Sequence, residues 1–194
     1  MPEEPTTDYA RYYDLERYLF DEVSARYRKD GQLSAFDFFC IIIWKANRSK
    51  SRVAKRILAK GHSDLSTAVA ALTISITNAT DSKGRLKALI EDWGFRLPMA
   101  SAILTVLFPE EFTVYDVRVC EVLGDFTDAQ YKTKFDELWG RYSAYVARVR
   151  ESGPAASALR DKDRYLWGKS FYTQLQKDIE NKFGTTPEDP EPEA

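Results

Sequence analysis

Apolar residues recur three and four positions apart along most of the chain, and this spacing is the feature that most limits the fold. It is the period of an α-helix with one buried face, whereas the alternating pattern of a half-buried strand is scarce. A cap at Thr7 or Asp8 and a stop at Gly31 bound the first such helix. Its apolar stripe consists of Tyr12, Leu15, Leu19, Val23 and Tyr27. The sequence therefore predicts an all-α fold, a compact helical bundle of two small lobes.

Two predicted helices stand very close to each other in the middle of the chain. One spans about 82–93 and the next spans 97–107, and only the turn 94–96 separates them. Two helices joined this tightly form a hairpin. Pro109 ends the second helix, and after a short connector Asp116 begins a further one.

The two ends of the chain differ in charge from the rest. Six of the 30 acidic residues lie in residues 1–4 and 184–194, which contain no lysine or arginine, so the other 24 face 28 basic residues. The body is therefore mildly basic, although the formal net charge of the whole chain is -2. Residues 1–183 are predicted to form a single helical domain, and the Pro- and acid-rich residues 184–194 a disordered tail.

The scarcity of cysteine and histidine excludes several kinds of site. Cys40 and Cys120 are the only cysteines and lie 80 residues apart, so a CxxC pair, a zinc knuckle and an iron-sulfur loop are excluded. Two buried thiols are expected instead. His62 is the only histidine and stands in a polar loop, which leaves no His cluster for a metal. Apolar runs are shorter than the roughly 20 residues of a membrane span, and the acidic start is unlike a signal peptide, so we expect a cytoplasmic protein.

Residues 89–124 read LIEDWGFRLPMASAILTVLFPEEFTVYDVRVCEVLG, and this segment resembles the core of the helix-hairpin-helix base-excision DNA glycosylases. In that superfamily a helix leads into a Gly-rich hairpin, a second helix of small and apolar residues follows, and a connector delivers an aspartate to the next helix. Gly94 occupies the place of the first hairpin glycine, and residues 114–119, VYDVRV, are similar to the family's Val-Asp-x-His-Val stretch. The resemblance implies a helix-hairpin-helix core at about 82–124, with Asp116 as the catalytic aspartate.

The sequence departs from the family pattern at two positions, and the second departure bears on the implied activity. Arg96 stands where the second hairpin glycine is expected, and Leu97-Pro98 stands near the place of the Schiff-base lysine of bifunctional members. The resemblance therefore implies a monofunctional DNA glycosylase without that lyase activity, which hydrolyses the N-glycosidic bond of a modified base flipped out of duplex DNA. Its role would be base-excision repair or antiviral defence against phages with modified bases. No cofactor is implied apart from a monovalent cation at the hairpin carbonyls.

Asp116 suits this reaction on chemical grounds. Cleavage of the bond builds positive charge on the sugar, which a nearby carboxylate can stabilise while it orients or deprotonates a water molecule. A helix N-terminus also favours the ionised form of an aspartate. The same position is typical of an ordinary, chemically silent N-cap, and that interpretation stays open.

Two segments are predicted to bind DNA phosphates. The first is the turn before the second hairpin helix, where unpaired backbone amides belong to Gly94, Phe95, Arg96 and Leu97. The second is 45–60, which holds seven basic residues and no acidic one. Its positive stripe, spaced three or four apart, consists of Lys45, Arg48, Arg52, Arg56 and Lys60. Arg118, in the stretch after the aspartate, is a further candidate.

An extruded base also needs an aromatic or apolar pocket. The candidates for its walls are Tyr115, which adjoins the aspartate, Trp44, which adjoins the basic segment, and Trp167. The expected partner is double-stranded DNA that contains a modified base, and we expect a monomer. Two other functions stay open. One is a non-catalytic helix-hairpin-helix module that recognises DNA shape or a protein, and the other is a helical toxin or scaffold whose basic helix binds RNA or an acidic protein.

Overall fold

The computed structural model describes residues 8–183, and this part of the chain is helical and contains no strand. The predicted all-α class is therefore confirmed. A 3-10 helix at Tyr9–Tyr12 comes first, and a π-helical segment, Tyr18–Val23, joins α1 to α2. The α-helices are α1 Leu15–Arg17, α2 Ser24–Asp30, α3 Ala35–Ala46, α4 Lys50–Leu58, α5 Leu65–Thr77, α6 Ser82–Lys87, α7 Leu97–Leu107, α8 Val117–Leu123, α9 Phe135–Glu151 and α10 Leu159–Glu180. The predicted tail, 184–194, and Thr7 lie outside the described residues.

The sequence pattern predicts helices that begin at Ser34 and near Asp64, and side-chain caps begin helices at both places. The hydroxyl oxygen of Ser34 accepts a hydrogen bond from the backbone N–H of Asp37 at 3.0 Å, which starts α3. Asp64 accepts one from the N–H of Thr67 at 2.8 Å and starts α5. α2 stops at Gly31, whose φ of +65° lies in the left-handed region that glycine adopts without strain.

One predicted helix is shorter than expected. The sequence pattern predicts a helix over 127–151, but α9 begins only at Phe135. The residues before it form turns and a short 3-10 helix, in which Phe126 adopts a φ of +76°. Arg141 reaches back from α9 and donates to Asp128 at 2.7 Å. Lys132 and Lys134 have extended backbone, with ψ of 127° and 128°, so the helix cannot continue through them toward residue 127.

The buried apolar side chains form one continuous cluster, which includes Tyr18 near the start of the chain and Leu166 in α10. α7 lies deep in this cluster, because ten of its eleven residues are buried. A helix that is buried on every side is typical of the centre of a protein. α7 packs against α3, which makes these two helices the middle of the core. The division into two lobes stays a prediction.

The connection between α6 and α7 is short, as the sequence predicts. α6 continues into a π-helical segment, Ala88–Asp92, and Gly94 then adopts a φ of +70°. Arg96 has an extended backbone with a φ of -78°, so no glycine is needed there. The backbone N–H of Phe95 donates to the carbonyl of Leu89 at 2.9 Å and is therefore not available to a phosphate. This corrects one of the expected amide donors.

Both cysteines are free and buried, which confirms the expectation drawn from their spacing. Burial raises the pKa of Cys40 to about 11 and also raises the pKa of Cys120. The thiols are therefore in their neutral, unreactive form at neutral pH. Within residues 8–183, no helix is both long enough and apolar enough to cross a membrane.

Candidate functional site

A cavity of about 310 Å³ opens between α1, α3, the residues before α8, and α10. A volume of this size falls in the range of small-molecule sites, about 300–1,000 Å³. Its walls consist of Glu16, Trp44, Lys45, Val114, Asp116, Arg160, Asp163, Arg164 and Trp167. The cavity therefore brings together Asp116 and two of the three aromatic residues that were expected to enclose a base, Trp44 and Trp167.

Asp116 is held by two donors at the cavity wall. One carboxylate oxygen, Oδ1, accepts a hydrogen bond from the backbone N–H of Arg118 at 3.1 Å and caps α8. The other, Oδ2, lies 2.8 Å from Nζ of Lys45, which comes from the last turn of α3. The Asp116 side chain is 23% exposed and that of Lys45 is 15% exposed. The carboxylate is thus fixed in direction while part of its surface remains accessible from the cavity.

Two tyrosines of α9 support the connector that carries Asp116. The hydroxyl of Tyr142 donates to the carbonyl of Thr113 at 2.7 Å, and the hydroxyl of Tyr145 donates to the carbonyl of Val114 at 2.9 Å. Both side chains are buried. Buried carbonyls need such partners where the chain is neither helix nor sheet. The two tyrosines therefore determine the path of the backbone into the cavity wall, and sequence reasoning did not identify them.

We expect Tyr145→Phe to lower the free energy of unfolding by about 1–3 kcal/mol, because the buried carbonyl of Val114 loses its hydrogen bond. Urea denaturation measures the change. Tyr131→Phe is the matched control, since Tyr131 is 76% exposed, and it should change stability by less than about 0.5 kcal/mol. Equal effects of the two substitutions would contradict the supporting role of Tyr145.

Tyr115 lies away from the cavity, although it adjoins Asp116 in sequence. Its side chain is fully buried, and its hydroxyl donates to the carbonyl of Phe126 at 2.7 Å. Its backbone N–H donates to the hydroxyl oxygen of Ser101 in α7 at 2.9 Å. Tyr115 therefore anchors the connector to the core, and its expected place in a base pocket is corrected.

α10 supplies four residues of the cavity wall. The sequence pattern predicts a helix over 163–182, and the observed helix begins four residues earlier, at Leu159. Its cavity residues fall at positions i, i+3, i+4 and i+7, which lie on one side of a helix. They are Arg160, Asp163, Arg164 and Trp167. Three of these four were not identified from the sequence.

Arg160 connects several walls of the cavity. Its Nη2 donates to Oε1 of Glu16 at 2.6 Å, and its Nη1 forms an ion pair with Asp163. Its guanidinium also lies over the rings of Phe20 and Trp44, 5.0 and 5.2 Å from the ring centroids. Such a cation over an aromatic face is stabilising when it is shielded from water. Arg160 therefore ties α1 and α3 to α10 around the cavity.

Two carboxyl groups of the cavity have opposite pKa shifts. Burial alone would raise the pKa of Glu16, but the guanidiniums of Arg160 and Arg164 outweigh burial and the pKa is lowered. Burial raises the pKa of Asp163 to about 6, against the opposing effect of Arg160, and the negative charge of Asp116 raises it further. Glu16 is therefore a fixed anion, whereas Asp163 can gain or lose a proton near neutral pH.

We expect Asp163→Asn to gain stability relative to the wild type as the pH rises. Because the pKa of Asp163 is raised on folding, its favourable contribution is present below pH 4 and is lost as the pH passes through about 6. The difference in the free energy of unfolding, variant minus wild type, should increase by about 3 kcal/mol between pH 4 and pH 8. Denaturant titrations at several pH values measure it. A constant difference for Asp163→Asn between pH 4 and pH 8 would disprove the shift.

The two predicted DNA-binding segments lie side by side. The guanidinium of Arg56 in α4 stands 5.7 Å from the centroid of the Phe95 ring, and its Cδ lies close to Gly94. Burial lowers the pKa of Arg56, and the positive charges of Arg52 and Arg96 lower it further. We call Arg52, Arg56 and Arg96 the basic surface. Three positive charges close together favour the binding of an anion such as a DNA phosphate.

The other predicted DNA-binding residues lie in different environments. Lys45 is in the cavity wall, and the guanidinium of Arg118 stands 5.9 Å from the ring centroid of Trp167, another cavity residue. The sequence pattern predicts a break in the basic segment at 47–49, and the 3-10 helix Asn47–Ser49, in which Arg48 is exposed, forms that break. The side chain of Leu97 is buried in the core, so only its backbone N–H could contact DNA, and that contact stays a prediction.

Within residues 8–183, no group of three or more histidine, cysteine, aspartate or glutamate side chains could hold a metal ion. Comparisons with known protein families, with curated proteins and with solved structures found no match for this chain. The cavity and the basic surface are therefore the features from which a function can be inferred.

Proposed function

We propose that the protein is a monofunctional DNA glycosylase, which hydrolyses the N-glycosidic bond of a modified base flipped out of duplex DNA. The observation that supports this most strongly is the position of Asp116. The residue selected from the sequence as a catalytic aspartate lies in the wall of a cavity that also contains Trp44 and Trp167. Aromatic side chains of this kind stack on extruded bases.

Asp116 would act on the sugar of the flipped nucleotide. As the bond between C1′ and the base breaks, positive charge develops on the sugar, and a carboxylate beside it lowers the energy of the transition state. Water then adds its oxygen to C1′ and releases a proton to the carboxylate. The contacts with Lys45 and with the N–H of Arg118 hold the carboxylate in one orientation, so little reorganisation is needed during the reaction.

The basic surface would bind the DNA backbone near the cavity. The chain passes from Trp44 and Lys45 in the cavity wall through the short 3-10 helix directly into α4, which carries Arg52 and Arg56. The proposal places the duplex on the basic surface and the flipped nucleotide in the cavity. Contacts of this kind hold the phosphates without selecting a sequence.

We expect Arg52→Gln to weaken the binding of duplex DNA and to reduce the salt dependence of that binding. Loss of one phosphate contact should lower the slope of log affinity against log salt by about 1. Fluorescence anisotropy at several salt concentrations measures both quantities. Lys134→Gln is the matched control, because Lys134 is exposed at the start of α9 and is not part of the basic surface. If both variants bind like the wild type, Arg52 does not contact DNA.

The proposal is tested by incubating the protein with unmodified DNA and with phage DNAs that carry modified bases. An aldehyde-reactive probe then counts abasic sites, and a denaturing gel counts strand breaks. We expect abasic sites on a modified DNA, few on unmodified DNA, and intact strands. A phage DNA as the preferred substrate would support antiviral defence over repair. Absence of abasic sites on every DNA would reject the proposal, and strand breaks at the sites would reject the monofunctional assignment.

A non-catalytic helix-hairpin-helix DNA-binding module is the second candidate. It is favoured by the hydrogen bond through which Asp116 caps α8, because this contact explains the aspartate without any chemistry. This candidate predicts DNA binding without abasic sites. It also predicts that substitution of Asp116 leaves binding unchanged.

A further inference from the structure

We propose that Asp163 is the general acid of this reaction, and that it donates a proton to the departing base. The inference rests on the proposed glycosylase function and adds a second catalytic residue to the same cavity. Asp163 and Asp116 both line the cavity, although they come from different elements, α10 and the start of α8. The Asp163 side chain is only 3% exposed, so it is shielded from bulk water while it borders the cavity.

A general acid would neutralise the charge on the departing base, which Asp116, as a carboxylate beside the sugar, does not do. When the bond to C1′ breaks, its electron pair stays with the base, and a base that leaves as an anion is a poor leaving group. A proton delivered from the carboxyl group of Asp163 neutralises that charge as it forms. Water supplies the hydroxyl group for C1′ and gives its proton to Asp116, which passes it to solvent. Solvent then returns a proton to Asp163, so one water molecule is consumed in each cycle.

The surroundings of the two aspartates assign these roles. Both aspartates have a cationic partner, Lys45 for Asp116 and Arg160 for Asp163, so their burial separates them. The Asp116 side chain is 23% exposed and also accepts from a backbone N–H, whereas the Asp163 side chain is 3% exposed. Burial raises the pKa of Asp163 to about 6, Arg160 lowers it, and the negative charge of Asp116 raises it. Two carboxyl groups with different environments in one cavity are the usual arrangement for a base and an acid. A bound base would displace water and favour the protonated form further.

Charged and titratable groups face Asp163 from every neighbouring element. They are Arg160 and Arg164 in α10, Glu16 in α1, Lys45 in α3, Asp116 before α8, and Tyr142 and Tyr145 in α9. The pKa of Glu16 is lowered, by the two arginines. The pKa values of both tyrosines are raised by burial. The pKa values of Glu16 and of the two tyrosines therefore lie outside the range between pH 5 and pH 8. A change of protonation in that range is expected for Asp163.

A purely structural role for Asp163 makes a different prediction. In that case Asp163 would only hold Arg160 in place through their ion pair, and Asn could keep a hydrogen bond to the same guanidinium. The variant Asp163→Asn would then release the base at a rate near that of the wild type, and this rate would depend on pH in the same way. A general acid, by contrast, must be protonated to act, so the pH profile separates the two roles.

The test measures the rate of base release in single turnovers between pH 5 and pH 9. Its substrate is a DNA from which the wild type releases a base. We expect the wild-type rate to fall about tenfold per pH unit above the pKa of Asp163, because the acid is lost. Asp163→Asn should be about 10²- to 10³-fold slower at pH 6 and should lose this dependence on pH. Glu180→Gln, which removes an exposed carboxylate at the end of the same helix and outside the cavity wall, should follow the wild type. A profile of Asp163→Asn that matches the wild type would overturn the inference and leave the glycosylase proposal intact.

A second measurement does not depend on activity. The carboxyl carbon of Asp163 can be followed by ¹³C NMR, with its signal assigned by its absence in Asp163→Asn. We expect it to titrate between pH 5 and pH 7 in the folded protein, and a carboxylate that stays ionised at pH 5 would overturn the acid role. If the wild type forms abasic sites on no DNA, the proposed function and this inference both fail.

Discussion

Asp116→Asn is expected to slow base release by about 10²- to 10⁴-fold while the protein stays folded. The asparagine side-chain oxygen can still accept the hydrogen bond from the N–H of Arg118, so α8 keeps its cap. The negative charge beside the sugar is lost, and with it the stabilisation of the transition state. Single-turnover counting of abasic sites gives the rate, and thermal unfolding gives the stability.

Asp64→Asn is the matched control for this substitution. Asp64 caps α5 by accepting a hydrogen bond from the N–H of Thr67 at 2.8 Å, and it is not among the residues that line the cavity. The same chemical change at the same kind of helix position should therefore leave the rate unchanged. If Asp116→Asn also cleaves at the wild-type rate, Asp116 is only a cap and the catalytic assignment is wrong.

The helices could be predicted from the sequence because their signals are local. Ser34, Asp64 and Asp116 are capping residues that stand directly before an apolar pattern with helical spacing. Gly31 ends α2 by a conformation that few other residues adopt easily. Each of these signals acts within four or five residues, so no knowledge of the tertiary fold is needed to interpret it.

Half of the cavity could not be predicted, because it depends on contacts between distant parts of the chain. Glu16 and Arg160 are 144 positions apart in sequence and meet only when α10 folds back against α1. The spacing of Arg160, Asp163 and Arg164 is also that of an ordinary solvated helix face. Nothing in the sequence distinguishes a face of this kind from one that lines a cavity.

The misplacement of Tyr115 has a simple geometric reason. Asp116, at the end of the connector, has extended backbone with a φ of -139° and a ψ of 133°, and successive side chains in extended backbone point to opposite sides. Val114 and Asp116 therefore share the cavity side, while Tyr115 turns into the core. Adjacency in sequence suggested that the tyrosine and the aspartate share a site, whereas the alternation places them on opposite sides.

The largest effect on stability is expected from Phe38→Ala, which should lower the free energy of unfolding by about 3–5 kcal/mol. Phe38 is fully buried in α3, and its ring centroid lies 5.3 Å from that of Phe39 and 6.4 Å from that of Phe95. It therefore joins α3, which carries Trp44 and Lys45 of the cavity wall, to the turn before α7. Alanine leaves a void there that the surrounding core cannot fill completely.

Urea denaturation measures this loss, and Phe36→Ala is the control two residues away in α3. Because Phe36 is 57% exposed, we expect its truncation to cost less than about 1 kcal/mol. Proteins of this kind are stable by about 5–15 kcal/mol in total, so Phe38→Ala should remove a large part of the stability. Equal losses for the two variants would mean that α3 does not present Phe38 to the core. The positions that this helix gives to Trp44 and Lys45 in the cavity wall would then be wrong as well.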